Sequence, residues 1–220
     1  MPKRRNKNNI EKVELVDLSS WEPKTETGRM VKNKEITTLE QIFEMGKPIK
    51  EVEIIDVLFP GLNSKVLEIA SVQRMTKNNR KQKYRVTAVV GDMNGHVGIG
   101  TAKDVEVKPA ISTAIKDAKK NMIPVRLGCG SWECSCGTSH SLPLKVEGIC
   151  GSSNVILKPA PRGVGIVANN VVKAVLELAG IKDVWSFSRG RTRDIYNTAL
   201  ATYSAVNSIN KIKNVEALKT

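Results

Sequence analysis

The sequence predicts an α+β fold made of two successive sheet-and-helix layers. Three observations predict it. Between residues 65 and 104, three stretches of strand character follow one another across short polar turns, and a helical stretch comes next. From residue 142 the same order of strands and helices starts again. Between the two lies "CGSWECSCGTSH", residues 129–140, which has the periodicity of neither element. Consecutive strands followed by helices, rather than strict alternation, place helices on a largely antiparallel sheet.

The elements follow in order. Residues 1–20 read as a basic flexible arm in which Lys3, Arg4, Arg5, Lys7 and Lys12 meet only Glu11 across the first dozen positions. Residues 21–61 form an extension. In it "TTLEQIFEMG" is a short helix, with Thr38 and Gln41 spaced as a capping box and Gly46 as its stop. "EVEIIDVLFPG" follows as a β-rich segment ended by Pro60 and Gly61. "KVLEIASVQRM", "YRVTAVVGD" and "HVGIGTAKD" are three strands, the first two joined by the turn-forming "TKNNRKQK". "VKPAISTAIKDAKKNMI" is a helix. Ala110, Ala114, Ile115 and Ala118 make its apolar face, and Lys116, Lys119 and Lys120 are expected elsewhere. Beyond the Cys-rich loop, residues 128–140, come the strands "LPLKVEGIC" and "SSNVILKPA", then the Gly-rich "PRGVGIVA". "NNVVKAVLELAG" is a helix capped by Asn169 or Asn170 and stopped by Gly180. "IKDVWSFSRG" is a strand, and "TRDIYNTALATYSAVNSI" is a longer helix. Residues 62–127 and 141–210 are thus two folded units, and 211–220 is a basic tail.

Composition narrows the function. Thirty-five Lys and Arg against 22 Asp and Glu leave a net charge of +13 in 220 residues, so polyanions are the expected partners. No run approaches the roughly 20 apolar residues of a membrane span, and no apolar stretch follows the basic start as in a secretory signal. A cytoplasmic protein with no membrane partner is expected. The charge is concentrated in one place. Arg74, Lys77, Arg80, Lys81, Lys83 and Arg85 fall within twelve residues that hold no acid. A hairpin that projects them from a stiff base can reach between phosphates without the ordering cost of a loose arm. Tyr84 is the lone aromatic there, which favours recognition of backbone and shape over base stacking. An enzyme is not expected, because neither a Ser–His–Asp arrangement nor H-E-x-x-H is present and no carboxylates pair, leaving no catalytic residue to name. Gly163 and Gly165 precede a helix, but without G-K-[ST] they indicate close backbone packing rather than a nucleotide cradle.

Cys129, Cys134, Cys136 and His140 have the spacing C-x4-C-x-C-x3-H. Three thiols and an imidazole are a legitimate zinc set with no open position for catalysis. The C-x-C bite is tighter than the usual C-x2-C, and all four groups sit in one short loop. The favoured reading is therefore unpaired thiols in an interdomain loop, with no cofactor required. Structural zinc is the second reading and a disulfide the third. Cys150 reads as a small core residue, and His96 as a surface or RNA-facing side chain.

Two long runs carry a resemblance. "VQRMTKNNRKQKYRVTAVVGDMNGHVGIGTAKDVEVKPAISTAIKDAKKNMIPV" and "PAPRGVGIVANNVVKAVLELAGIKDVWSFSRGRTRDIYNTALATYSAV" resemble, in that order, the N- and C-terminal domains of the universal fifth protein of the small ribosomal subunit. "WEPKTETGRMV" and "CGSWEC-x-CG" resemble its archaeal branch. The resemblance implies a double-stranded-RNA-binding-like domain of three antiparallel strands plus a helix, then a ribosomal βαβ-type domain. It implies a structural role: binding 16S-type ribosomal RNA near the messenger entry channel and the head–body junction, and touching the fourth and eighth small-subunit proteins. The RNA-probing loop maps onto residues 76 to 83. The surface for the fourth protein, linked to decoding accuracy, maps onto residues 162 to 172, with Arg162, Gly163, Gly165 and Val172 as its contacts. Lys3, Arg4, Arg5, the hairpin cations, Lys116, Lys119 and Lys120 are the residues expected on RNA.

Overall fold

A computed structural model describes residues 11–12 and 21–211. A short β1 (Glu11–Lys12) leads through three small helices, α1 (Glu26–Lys32), α2 (Leu39–Glu44) and α3 (Glu53–Leu58), into the first sheet. That sheet continues with β2 (Asn63–Thr76), β3 (Asn79–Gly91), β4 (His96–Asp104) and β5 (Met122–Pro124), and α4 (Val107–Lys120) lies between the last two in sequence. Its spatial order is β1-β2-β3-β4-β5, every pair antiparallel. The second sheet is built from β6 (Val146–Cys150), β7 (Ser153–Pro159), β8 (Ile166–Val167) and β9 (Val184–Gly190), in the order β6-β7-β9-β8. The β8–β9 pair alone among its neighbours is parallel. The helices α5 (Asn170–Leu178) and α6 (Ile195–Asn210) complete this half. The expected α+β class and the succession of two sheet-and-helix layers are both present.

Local chemistry explains most elements. At α2, Gln41 Oε1 accepts the backbone N–H of Thr37 at 3.1 Å and of Thr38 at 3.5 Å, and Gly46 ends the helix with φ +66°. The helix α1 was not anticipated; Thr25 Oγ1 caps it by accepting from Gly28 N at 3.2 Å. The β-rich reading of "EVEIIDVLFPG" is overturned, because this segment is α3. Its β-branched residues suggested a strand, but Ile54, Ile55, Leu58 and Phe59 cluster on one helical face. Ile54 and Ile55 are completely buried in a core with Val31, Leu39, Ile42 and Met122. Packing outweighs the local preference here.

The first sheet packs separate clusters against α4 and the small helices, but the two sheets also share a core. Val89, Val97 and Ile99 of the first sheet share one apolar cluster with Leu157 and Val155 of the second and with Val172, Leu176, Val206 and Ile209 of α5 and α6. Backbone bonds fasten the same seam: Met93 N donates to Leu178 O at 3.0 Å and Gly95 N to Ala179 O at 3.1 Å. Tyr203 Oη donates to Asn121 O at 2.8 Å, and Asn210 Nδ2 to Pro124 O at 2.7 Å. Gly180 adopts φ +85°, and a Cβ there would lie 2.3 Å from Met93 O, so only glycine fits. The result is two halves joined by a shared core and hydrogen bonds.

Candidate nucleic-acid interface and metal centre

The basic hairpin is longer and stiffer than its sequence suggests. Residues 76 to 83 are not a loop: β2 and β3 pair continuously out to Thr76 opposite Asn79, leaving Lys77 and Asn78 as the two-residue turn. Thr76 Oγ1 donates to Asn79 O at 2.6 Å and closes it, with Asn79 at φ +109°. Strand alternation then sorts the cations. Arg74, Lys81, Lys83 and Arg85 share one face, Arg80 lies on the other, and Lys77 is at the tip. Arg74 stands directly opposite Lys81 in register. Like charges facing each other across an antiparallel pair are destabilising, and residues 74–85 hold no acid to relieve them. Arg74, Lys77, Arg80 and Lys81 are all exposed, and Lys83 is half-buried.

The chain itself engages Arg85. Its guanidinium lies 3.9 Å from Glu68 Oε2 and 5.6 Å over the Tyr196 ring. Lys119 requires a correction. It is 3 % exposed, with Nζ 2.5 Å from Asp56 Oδ1, because the face of α4 that carries it is covered by α3. Its ammonium balances a buried carboxylate and does not face RNA. Lys116 and Lys120 do stay exposed. Lys3, Arg4 and Arg5 lie outside the described residues. A second basic patch escaped the sequence reading: Arg189, Arg191 and Arg193 are exposed where β9 leaves the sheet, and "SRGRTR" was its visible signal.

The region expected to touch a partner protein divides similarly. Arg162 and Gly163 are exposed and Gly165 is half-buried, all in the turn before β8. Val172 is completely buried in the shared core, so the expectation that it touches a partner is overturned. The exposed apolar side chains nearby are Val164 and Val167. His96 is not a surface residue either: Nδ1 lies 2.6 Å from Asp92 Oδ2 and the ring packs at 4.5 Å on Phe59. Cys150 is half-buried at the edge of the core.

The Cys-rich loop brings its four expected residues together. The Cys129, Cys134 and Cys136 sulfurs and a His140 nitrogen all lie within 4.8 Å of one another. Cys129 Sγ and Cys136 Sγ are 3.6 Å apart, and Cys134 Sγ is 3.7 Å from His140 Nε2. All four cysteines of the chain are unbonded, which removes the disulfide reading. Zinc–sulfur distances of about 2.3 Å imply tetrahedral edges of about 3.8 Å, so two edges of the required figure are already present. The cluster could hold zinc.

The surroundings tune the thiols in opposite directions. The Thr138 hydroxyl, 3.3 Å from Cys136 Sγ, and the Thr138 backbone N–H pull that thiol down to about 6. Burial pushes Cys129 up to about 11, and hydrogen bonding to Cys136 and Cys134 adds to the rise. At Cys134 the contact with Cys136 acts upward, but the backbone N–H groups of Arg162 and Cys136, with His140, outweigh it and lower the thiol. Burial would lower His140, yet Cys134, Cys136 and Asp183 raise it. Asp183 was missed in the sequence, and no spacing rule reaches 43 positions from His140. Its Oδ2 lies 2.8 Å from His140 Nδ1; the approach is an ion-pair contact rather than an in-line hydrogen bond. Burial works to raise its pKa, but the N–H groups of Gly165 and Gly163, with His140, hold the carboxyl below the usual aspartate range.

Comparison with known proteins accounts for both halves. Residues 62–126 match the family described as Ribosomal protein S5, N-terminal domain, and residues 148–219 match Ribosomal protein S5, C-terminal domain. The small ribosomal subunit protein uS5 of Methanocaldococcus jannaschii is 53 % identical over 203 residues, 92 % of this chain and 94 % of its own. That of Methanococcus vannielii is 54 % identical over 197 residues, 90 % of this chain and 88 % of its own. That of Aeropyrum pernix is 51 % identical over 193 residues, 88 % of each.

Proposed function

The chain belongs to the ribosomal protein S5 family, in its archaeal form, and from that premise we propose how it works: as a rigid clamp on 16S-type ribosomal RNA. It is a structural, non-enzymatic protein of the small ribosomal subunit. The basic hairpin enters between RNA strands, and phosphates relieve the repulsion that Arg74 and Lys81 impose on each other. That opposed pair, exposed near the acid-free tip of the hairpin, is the observation that carries the reading. Lys116, Lys120 and the patch at Arg189, Arg191 and Arg193 extend the footprint. The turn at Arg162, Gly163 and Gly165 faces the fourth small-subunit protein, and the eighth lies against the same lobe. The seam between the lobes holds head and body geometry near the messenger entry, in cytoplasmic ribosomes. The Cys129, Cys134, Cys136 and His140 cluster is a structural zinc site that stiffens the interlobe loop.

The test is binding of the purified chain to small-subunit RNA across a salt series. A steep fall of affinity with salt, made shallower when the hairpin cations become glutamine, supports the reading. Indifference to the RNA at low ionic strength defeats it. For the partner-facing turn, Arg162→Glu in living cells should change misreading rates, and unchanged rates would remove that part.

A further inference from the structure

We propose that the zinc centre controls the shape of the turn at residues 161–165, with Asp183 as the positioning residue between them; this rests on the zinc reading above. The Asp183 carboxylate serves two masters. Oδ2 lies 2.8 Å from His140 Nδ1, while Oδ1 accepts from Gly163 N at 3.1 Å and from Gly165 N at 2.8 Å. The other nitrogen of the same imidazole, Nε2, faces the Cys134 sulfur. A carboxylate beside the second nitrogen of a metal-bound histidine is a common orienting partner of that ligand.

Two other backbone bonds hold the turn: Val184 N donates to Gly165 O at 3.2 Å, and Val164 N to Pro161 O, long at 3.5 Å, closes it. Gly163 and Gly165 sit at φ +95° and +75°, and a Cβ on either would meet no heavy atom within 4 Å. Close packing at these glycines therefore does not impose this conformation; hydrogen bonds do, and two of them end on Asp183. Asp183 is also tied to the centre through the backbone of the same loop. Ser141 Oγ donates to Asp183 O at 2.5 Å, and the Lys182 and Asp183 N–H groups both reach His140 O. The post is fixed, and the turn hangs from it. With zinc bound through Nε2, the His140 ring is held in place against the Asp183 carboxylate. Without zinc, the ring is free to rotate, and that contact loosens. The side chains affected are Arg162, Val164 and Val167, the exposed group of this edge. The metal is thus a condition for presenting a protein-binding surface, not merely a staple in the loop.

The experiment uses the full chain, stripped by chelator and reloaded with zinc alone. It reads zinc content and amide hydrogen exchange in peptides covering residues 161–166. We expect one equivalent of zinc and at least tenfold slower exchange in those peptides when it is bound, with β6 and β7 unchanged. In Asp183→Asn, zinc is still bound but the slowing is lost. Zinc below a tenth of an equivalent overturns the zinc reading, and this inference with it. Full zinc content with unchanged exchange in the unmutated chain overturns the coupling alone. Zinc-dependent slowing that survives in Asp183→Asn overturns the route through Asp183. The first two outcomes need no variant, so a misfolded variant cannot shelter the idea.

Discussion

The hairpin at the far end of β2 and β3 and the seam between the two lobes handle polar groups in opposite ways. Along the seam, polar groups find partners inside the chain: Met93 and Gly95 on the α5 terminus, Tyr203 on Asn121, Asn210 on Pro124. In the hairpin, Arg74 faces Lys81 and no acid answers either. A structure that satisfies itself in one place and leaves like charges opposed in another is incomplete at the second. The seam is where this protein is made rigid, and the hairpin is where it expects another molecule. The difference can be broken or sharpened by substitution, and the two regions should respond in different assays.

The largest effect is expected in the hairpin. Replacing Arg74, Lys77, Arg80, Lys81 and Lys83 with glutamine removes up to five phosphate contacts. The slope of log affinity against log salt should then flatten by about 4. Over a fourfold rise in salt the unmodified chain should lose a few hundred-fold more affinity for ribosomal RNA than the variant. Thermal stability should stay level or rise, because the Arg74–Lys81 repulsion is gone. A fall in melting temperature would mean that the hairpin is stabilised internally, and the contrast with the seam would disappear.

The next effect tests the closed side. Lys119 and Asp56 form a pair at 4 % and 11 % side-chain exposure. Asp56→Asn leaves the ammonium buried without its counter-charge, a loss of about 3 kcal/mol. At this chain length that is a fall of roughly 6–12 °C in melting temperature. RNA affinity should be unchanged under conditions where the chain remains folded. Lys119→Met together with Asp56→Leu should recover much of the loss, since an apolar pair of similar volume avoids the desolvation.

This pair also marks where sequence reading succeeds and fails. The α+β order, the capping of α2 by Gln41, the stop at Gly180 and the convergence of Cys129, Cys134, Cys136 and His140 were legible, because each depends on near neighbours. Lys119 was placed on the solvent side because its own helix allowed it. Only the arrival of α3, 63 positions earlier, buries it. Val172 fails for the same reason, since the core that covers it comes from both sheets. Asp183 joins the centre from the bend before β9, and the β-branched run of α3 obeyed packing rather than propensity. The hairpin was recognised, but its turn was read too long, because polar residues such as Asn78, Asn79 and Gln82 signal turns although the ladder continues through most of them.

A third substitution probes the seam by shape alone. Gly180→Ala meets both a left-handed backbone angle and the Met93 carbonyl. A left-handed residue with a side chain costs about 1–2 kcal/mol, and overpacking typically adds about 1–3. A loss of at least about 2 kcal/mol is expected, measured by denaturant midpoint with the m-value unchanged.

The smallest effect is at Tyr203, and its sign with pH is distinctive. Burial pushes the phenol up to about 12, above an unfolded value of about 10. The folded chain therefore holds this proton more tightly. The contribution is complete below about pH 10 and fades as pH rises toward 12. Tyr203→Phe removes the bond to Asn121 O, a loss of about 1 kcal/mol at neutral pH. It also removes that alkaline dependence. Between pH 10 and 12 the unmodified chain should lose stability more steeply than the variant, so the two curves converge. If they stay parallel, the hydroxyl is free of the seam, and the contrast with the hairpin loses one of its four clasps.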